Sequence, residues 1–270
     1  MSNVTPVSVV SSPDLVSILI PCVGMAEYTK LCVPSILRHT REPYELIFID
    51  IGSLDGTTDY LAGVHDGVAG RIRVEVLRTP TDLGIKDVCK EALQQARGEF
   101  ICLLNNDTVV TPGWLNALTA LANASDVIGL VGPMSNYAAE EQLVEGVPYR
   151  FGPRKATAIP LSAIEPLVDY NDVQAFAREF SKENKGKWIK TDRLGGFCLL
   201  VKKDVIKRIG PDLDEHSDLG LFDTDILSSK ARQVGYNLAI CRDLFVHHFG
   251  TRTSVHTAPA ITEATQVANR

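Results

Sequence analysis

The sequence predicts an α/β fold: a mixed, mainly parallel sheet flanked by helices. Two observations carry this reading. Across the first half of the chain, short runs of Val, Ile, Leu and Phe alternate with segments whose apolar residues recur at helical spacing, the pattern of parallel strands joined by crossover helices. Polar residues also stand where ligands bind in such sheets, beyond the carboxyl ends of the strands: Asp50, Asp82, Asn105 and Asp107.

Val16 to Pro21 (VSILIP) is a continuous apolar run ended by proline, and reads as a buried first strand. Glu27 to Thr40 has helical spacing, with Pro34 expected to kink or shorten the helix. Tyr44 to Asp50 is a second strand, Thr57 to Leu61 a short helix capped by Asp55, and Ile72 to Leu77 a third strand. Ile85 to Ala96 reads as a helix closed by Gly98. Phe100 to Leu104 is a strand running into Asn105-Asn106-Asp107. Pro112 to Asn123 is a helix with proline in its first turn, and Ile128 to Val131 a fifth strand. The second half is less regular. Tyr137 to Pro160 reads as loop, and Ile164 to Asn184 contains an amphipathic helix. Leu194 to Val201 is an apolar strand introduced by Gly195-Gly196, followed by a helix at Asp204 to Ile209 and the turn Gly210-Pro211-Asp212. Asp223 to Val234 is a helix, Asn237 to Cys241 a strand, and His247 to Gly250 a loop.

Composition bounds the function. The chain has 270 residues, 45% hydrophobic and 22% charged, with a net charge of −6, so it can bury a core unaided. The acidic balance argues against nucleic acid as a partner. The six cysteines form no C-x-x-C pair and several sit in apolar runs, as expected of reduced thiols in a cytosolic protein. No run reaches the roughly 18 apolar residues that span a bilayer, so any membrane contact would be peripheral.

Three clusters carry candidate chemistry. Asp107 follows a buried strand in Asn105-Asn106-Asp107-Thr108. Carboxylates at D-x-D spacing suit a hard divalent cation that also holds a diphosphate, although here the first acid is Asn105, and a loop or cap role competes. His248, in His247-His248-Phe249-Gly250, offers an imidazole for a metal shell, against a plain packing role. Asp223 and Asp225 open a helix, where capping and the helix dipole favour acids and where one of them can also serve as a general base. There is neither a G-x-G-x-x-G nor a G-x-x-x-x-G-K-[ST] motif, so a Rossmann or P-loop nucleotide site has no local support.

The ordered series VSILIP, FIDIGSLDGT, TDLGI, LLNNDT, GGFCLLVKKDVIKRIG, GLFDTDILSSKARQVGY and VHHFGTRT resembles the family 2 glycosyltransferases over about Val16 to Ser254. The resemblance implies a GT-A fold, in which a nucleotide-binding half merges with an acceptor-binding half. It also implies inverting transfer from a nucleotide-sugar donor, UDP-linked by family habit, to a glycan or glycoconjugate, with Mn2+ or Mg2+ as cofactor. By position it places Pro21, Asp50, Asp82, Gly84, Asn105 and Asn106 at the donor nucleotide, Gly195 and Gly196 at the sugar and acceptor, and Asp107 and His248 at the metal. Thr253 falls at the end of the H-x-G-x-x-[ST] element. Asp223 and Asp225 are the candidate bases, Asp223 slightly preferred. Related sequences commonly read F-E-D-D-D here, so Thr224 replaces the central acid and a nucleotide-sugar or glycan-binding module is the alternative. A nucleotidyltransferase would show a Gly-rich basic signature early in the chain, which Pro21 to Glu27 lacks.

The expected organisation is a flexible tail over 1–14, one domain over 15–256 (nucleotide half 15–133, acceptor half 134–256) and a C-terminal tail over 257–270. Bacterial polysaccharide assembly is the default context, at the cytoplasmic side of the membrane and within a larger multidomain protein.

Overall fold

An eight-stranded sheet forms the body of the computed structural model, which describes residues 15–79, 85–152, 170–210 and 222–250. Both expected tails, Asp82, Gly84 and Thr253 lie outside the described residues. β1 (Val16–Cys22), β2 (Tyr44–Ile51), β3 (Val74–Thr79) and β4 (Phe100–Leu104) pair in parallel in the order β3-β2-β1-β4. The crossovers are α1 (Ala26–His39), α2 (Thr57–Gly67) and α3 (Ile85–Gln95). Every residue of β1 is buried, because helices cover both faces. Ile18 and Ile20 point into one apolar cluster with Val33, Leu61 and Trp114, whereas Leu19 points into the other with Val88, Val205 and Leu227. Each such fully buried side chain contributes about 1.5–3 kcal/mol, so the one-residue alternation fixes the strand's register between the two layers.

The second half completes the sheet with mixed pairing. α4 (Trp114–Asn123) leads to β6 (Ile128–Met134). β8 (Cys198–Lys202) lies antiparallel between β4 and β6, and β9 (Asn237–Phe245) runs parallel to β6. β7 (Trp188–Thr191), antiparallel to β9, closes the edge. α5 (Tyr170–Glu183), α6 (Lys203–Ile209) and α7 (Thr224–Gln233) pack beside these strands.

Several expectations need correction. α1 is not shortened by Pro34 but continues to His39. α4 starts at Trp114 behind a left-handed Gly113 (φ 77°), so Pro112 stands outside it. Gly98 is no left-handed helix closure: a Cβ there would lie 2.6 Å from both the Leu15 carbonyl oxygen and the Ser17 nitrogen, so glycine is needed for backbone approach to β1. His247–His248 is not loop but a short strand, β10, paired antiparallel with β5 (Thr108–Val109). β7 carries no apolar run, since its edge position leaves Trp188 49% exposed, and the sequence gives no signal for it.

Candidate active site

The loop after β4 turns on Asn105, whose backbone nitrogen donates to the Phe197 carbonyl (2.9 Å) while its carbonyl accepts from Thr108 Oγ1 (2.8 Å). This turn delivers Asp107, fully buried, to the start of the β5–β10 ribbon. The ribbon brings in His248 from the far end of the chain, with Nε2 3.3 Å from Asp107 Oδ1. Phe249 N donates to the Asp107 carbonyl at 3.0 Å.

His248 is held on every side. Its backbone exchanges two hydrogen bonds with the Asn136 side-chain amide (2.9 and 3.0 Å). Phe197 stacks on the ring at 5.2 Å and 17°, and Tyr137 meets it edge-on. Nδ1 lies 2.8 Å from the Tyr137 carbonyl. A carbonyl only accepts, so Nδ1 carries a hydrogen, and Nε2 is the nitrogen that faces Asp107 and that a neutral ring would offer to a cation. The donor set of one carboxylate and one imidazole fits Mn2+ or Mg2+, which take few protein ligands when substrate phosphates supply the rest. Among the described residues no cluster of three or more His, Cys, Asp or Glu forms a cation site.

His247 faces away from this pair. Its Nδ1 meets Tyr149 Oη at 3.0 Å within a cage of Tyr149, Phe151 and Phe249. Burial, then the neighbouring His248, push its pKa down to about 4, so it is a neutral packing residue.

The other candidates differ in what they can reach. Pro21 is buried within β1. Asp50, next to last in β2, is fully buried, where Oδ1 accepts from Ser53 N (3.2 Å) and Oδ2 from Thr58 Oγ1 (2.6 Å). Asn106 is also fully buried, and its amide donates to Thr29 Oγ1 and the Gly24 carbonyl, fastening the Asp107 turn to the loop after β1. Asp55 was expected to cap only its own helix. Its Oδ1 does accept from Thr57, but Oδ2 accepts from Ala26 N at 2.9 Å, so one carboxylate joins the starts of α1 and α2, while Gly56 takes the N-cap position of α2.

A pocket of about 420 Å3 opens beside His248, lined by Asn105, Tyr137, Gly195, Gly196, Thr224 and Asp225 among others. Thr224 packs closely against Gly196 in its lining, since a Cβ on Gly196 would lie 3.1 Å from Thr224 Cγ2. Asp223 is the N-cap of α7, accepting from Ile226 N at 3.1 Å, and is not among the pocket-lining residues. Asp225 lines the wall, in a bidentate ion pair with Arg193. A larger, open cleft of about 930 Å3 lies near the amino ends of β3 and β4, lined by Arg73, Lys90, Glu91 and Lys203 among others. Arg73 there is bound to the buried Glu45 and to Gln95, so the cleft has the character of a structural charge network.

Asn136, Tyr137, Gln142 and Arg193 shape the site without having been foreseen. Gln142 is 1% exposed and links the Pro133 carbonyl (2.7 Å) to Gly195 N (2.7 Å). These residues belong to no recognisable motif, and only the folded chain brings them together.

Comparison with known proteins gives the family and the fold. The family model described as glycosyl transferase family 2 matches residues 17–209. An uncharacterised protein, y4gI, of Sinorhizobium fredii is 29% identical over 225 residues, covering 83% of this chain and 23% of its own length. The glycosyltransferase GlyG of Streptococcus pneumoniae is 26% identical over 125 residues, covering 46% of this chain and 40% of its own. The chain thus spans well under half the length of these curated relatives. Among solved structures, a mannosyltransferase from Pyrobaculum calidifontis in complex with GDP-Man and Mn2+ superposes with a TM-score of 0.58 at 16% identity, covering 88% of this chain and 57% of that one. GalNAc-T7 with UDP, GalNAc and Mn2+ gives 0.57 at 16%, covering 87% and 44%. At such identity the likeness is one of fold.

Proposed function

The chain belongs to glycosyl transferase family 2 and has a GT-A fold, and from that premise we propose that it is an inverting, metal-dependent glycosyltransferase acting on a nucleotide-sugar donor. The observation that carries the reading is the pairing of buried Asp107 with His248 Nε2 at 3.3 Å, where His248 lines a pocket that also presents the Asp225 carboxylate. Asp107 and His248 are the residues that would hold the cation, and Asn105 lines the space beside them. When bound, Mn2+ or Mg2+ neutralises charge on the departing diphosphate.

The remaining work falls to the chain's own residues. Pro21, Asn106 and Asp50 build the floor and turns against which the donor nucleotide lies, and Asp82 and Gly84 are assigned beside it. Gly195 and Gly196 leave room for the sugar and the acceptor, and Tyr137 flanks the opening. The acceptor hydroxyl loses its proton to a carboxylate at the start of α7. Asp225 is favoured over Asp223 because it lines the pocket while Asp223 caps the helix. A single displacement from the opposite face inverts the anomeric configuration. The acceptor is a glycan or glycoconjugate, and the donor is UDP-linked, a nucleotide that one structural neighbour binds.

Thr224 in the pocket lining favours a second reading, that of a nucleotide-sugar-binding module without turnover. Titration calorimetry with UDP, GDP and dTDP, with and without Mn2+, tests the first. Metal-dependent binding of one nucleotide, weakened at least ~10-fold in Asp107→Ala, is the expected outcome. A folded protein that binds none of them overturns it. Binding without donor hydrolysis or transfer selects the second reading.

A further inference from the structure

The carboxylate on the pocket wall is not left to its own rotamers. Arg193 Nε lies 2.6 Å from Asp225 Oδ1 and Nη2 lies 3.0 Å from Oδ2, two parallel charge-assisted hydrogen bonds. The segment carrying Arg193 is itself braced. Thr191 Oγ1 donates to the Glu141 carboxylate and accepts from Arg193 N (3.3 Å). Gly195 N is fixed by Gln142 at 2.7 Å. Asp192 pairs with Arg232 at 3.3 Å, two turns further along the face of α7 that carries Asp225. Two ion pairs of opposite sense therefore clasp residues 192–193 to α7.

Stability does not account for this arrangement. Arg193 and Asp225 are 67% and 59% exposed, and exposed pairs add little to folding. What the fork does fix is direction, because both carboxylate oxygens are held and each keeps a second lone pair for another donor.

We propose that Arg193 is a positioning residue, which aims the Asp225 carboxylate across the pocket at the acceptor hydroxyl. The inference rests on the transferase reading above. As the hydroxyl oxygen bonds to the anomeric carbon, its proton passes to Asp225, and the electron pair of the breaking bond leaves with the nucleoside diphosphate. Arg193 itself touches neither reacting atom.

The test follows Mn2+-dependent release of nucleoside diphosphate by the full chain from a panel of UDP- and GDP-hexoses, with water and oligosaccharides as acceptors. Arg193→Ala should lower kcat about 100-fold, the scale of loss when a reacting group is misplaced. The donor KM should stay within about 2-fold and the thermal midpoint should not move. Arg193→Lys, which keeps the charge but not the fork, should recover no more than about a tenth of the activity. The exchanged double variant, Arg193→Asp with Asp225→Arg, restores the ion pair and should remain inactive. Unchanged kcat in Arg193→Ala, or recovery in the exchanged variant, overturns the proposal and leaves the transferase reading standing. A wild type that binds no nucleotide and turns over none of the panel removes that reading, and this proposal with it.

Discussion

At the scale of single residues, the site is built by side chains that each do two things. Asp55 accepts from Thr57 at the start of α2 and from Ala26 N at the start of α1. Burial works against its charge, but the hydrogen bonds from Thr57 and Ala26 prevail and hold its carboxyl below the usual range. A depressed carboxylate contributes stability that is present above the ordinary Asp pKa and lost as pH falls through the lowered one. Asp55→Ala should therefore cost about 0.5–2 kcal/mol at neutral pH, the range for losing a side-chain acceptor at a helix start. The difference from wild type should shrink in urea melts as the buffer is taken below pH 4. His248 shows the same economy: one ring nitrogen is anchored to the Tyr137 carbonyl and the other faces Asp107. The motif around Asp107 was legible because an acid after an apolar strand is a local pattern. Asn136, which holds His248 through two backbone hydrogen bonds, was not, since an asparagine in a loop carries no spacing signal.

At the scale of elements, the parallel half was readable because β1, β2 and β4 are buried almost throughout and each crossover has its own period. Expectations failed where geometry depends on a neighbour. Gly98 looked like a helix stop, yet it is glycine because β1 passes within 2.6 Å of where a Cβ would stand. Overpacking against backbone, which cannot swing aside, costs about 1–3 kcal/mol. Gly98→Ala should show that loss as a lower denaturation midpoint with an unchanged m-value. β5 and β10 are two residues each, too short for any periodicity, and they exist only because they pair with each other. Yet this ribbon carries His248 to Asp107. β7 is hidden for a related reason: it is an edge strand of four residues whose exposed positions are Trp188 and Lys190.

At the scale of the whole molecule, the six cysteines, Cys22, Cys32, Cys89, Cys102, Cys198 and Cys241, are thiols outside any disulfide and all buried. Burial pushes the Cys32 thiol up to about 12 and the Cys22 thiol well above its ordinary value, so neither offers a thiolate near neutrality. Ellman's reagent should label none of the six in the native protein and all six in guanidinium. Rapid native labelling would contradict the packed core. No helix among the described residues is long and apolar enough to cross a membrane. The sequence by itself determined the α/β class, the parallel run of strands and the acids at their ends, because strand burial and helical spacing are local properties that each segment expresses alone. Only the tertiary structure decided that β8 inserts antiparallel between β4 and β6, that His248 meets Asp107, and that Arg193 grips Asp225. Those contacts join residues tens of positions or more apart, and their energy exists only once the sheet has brought the segments together.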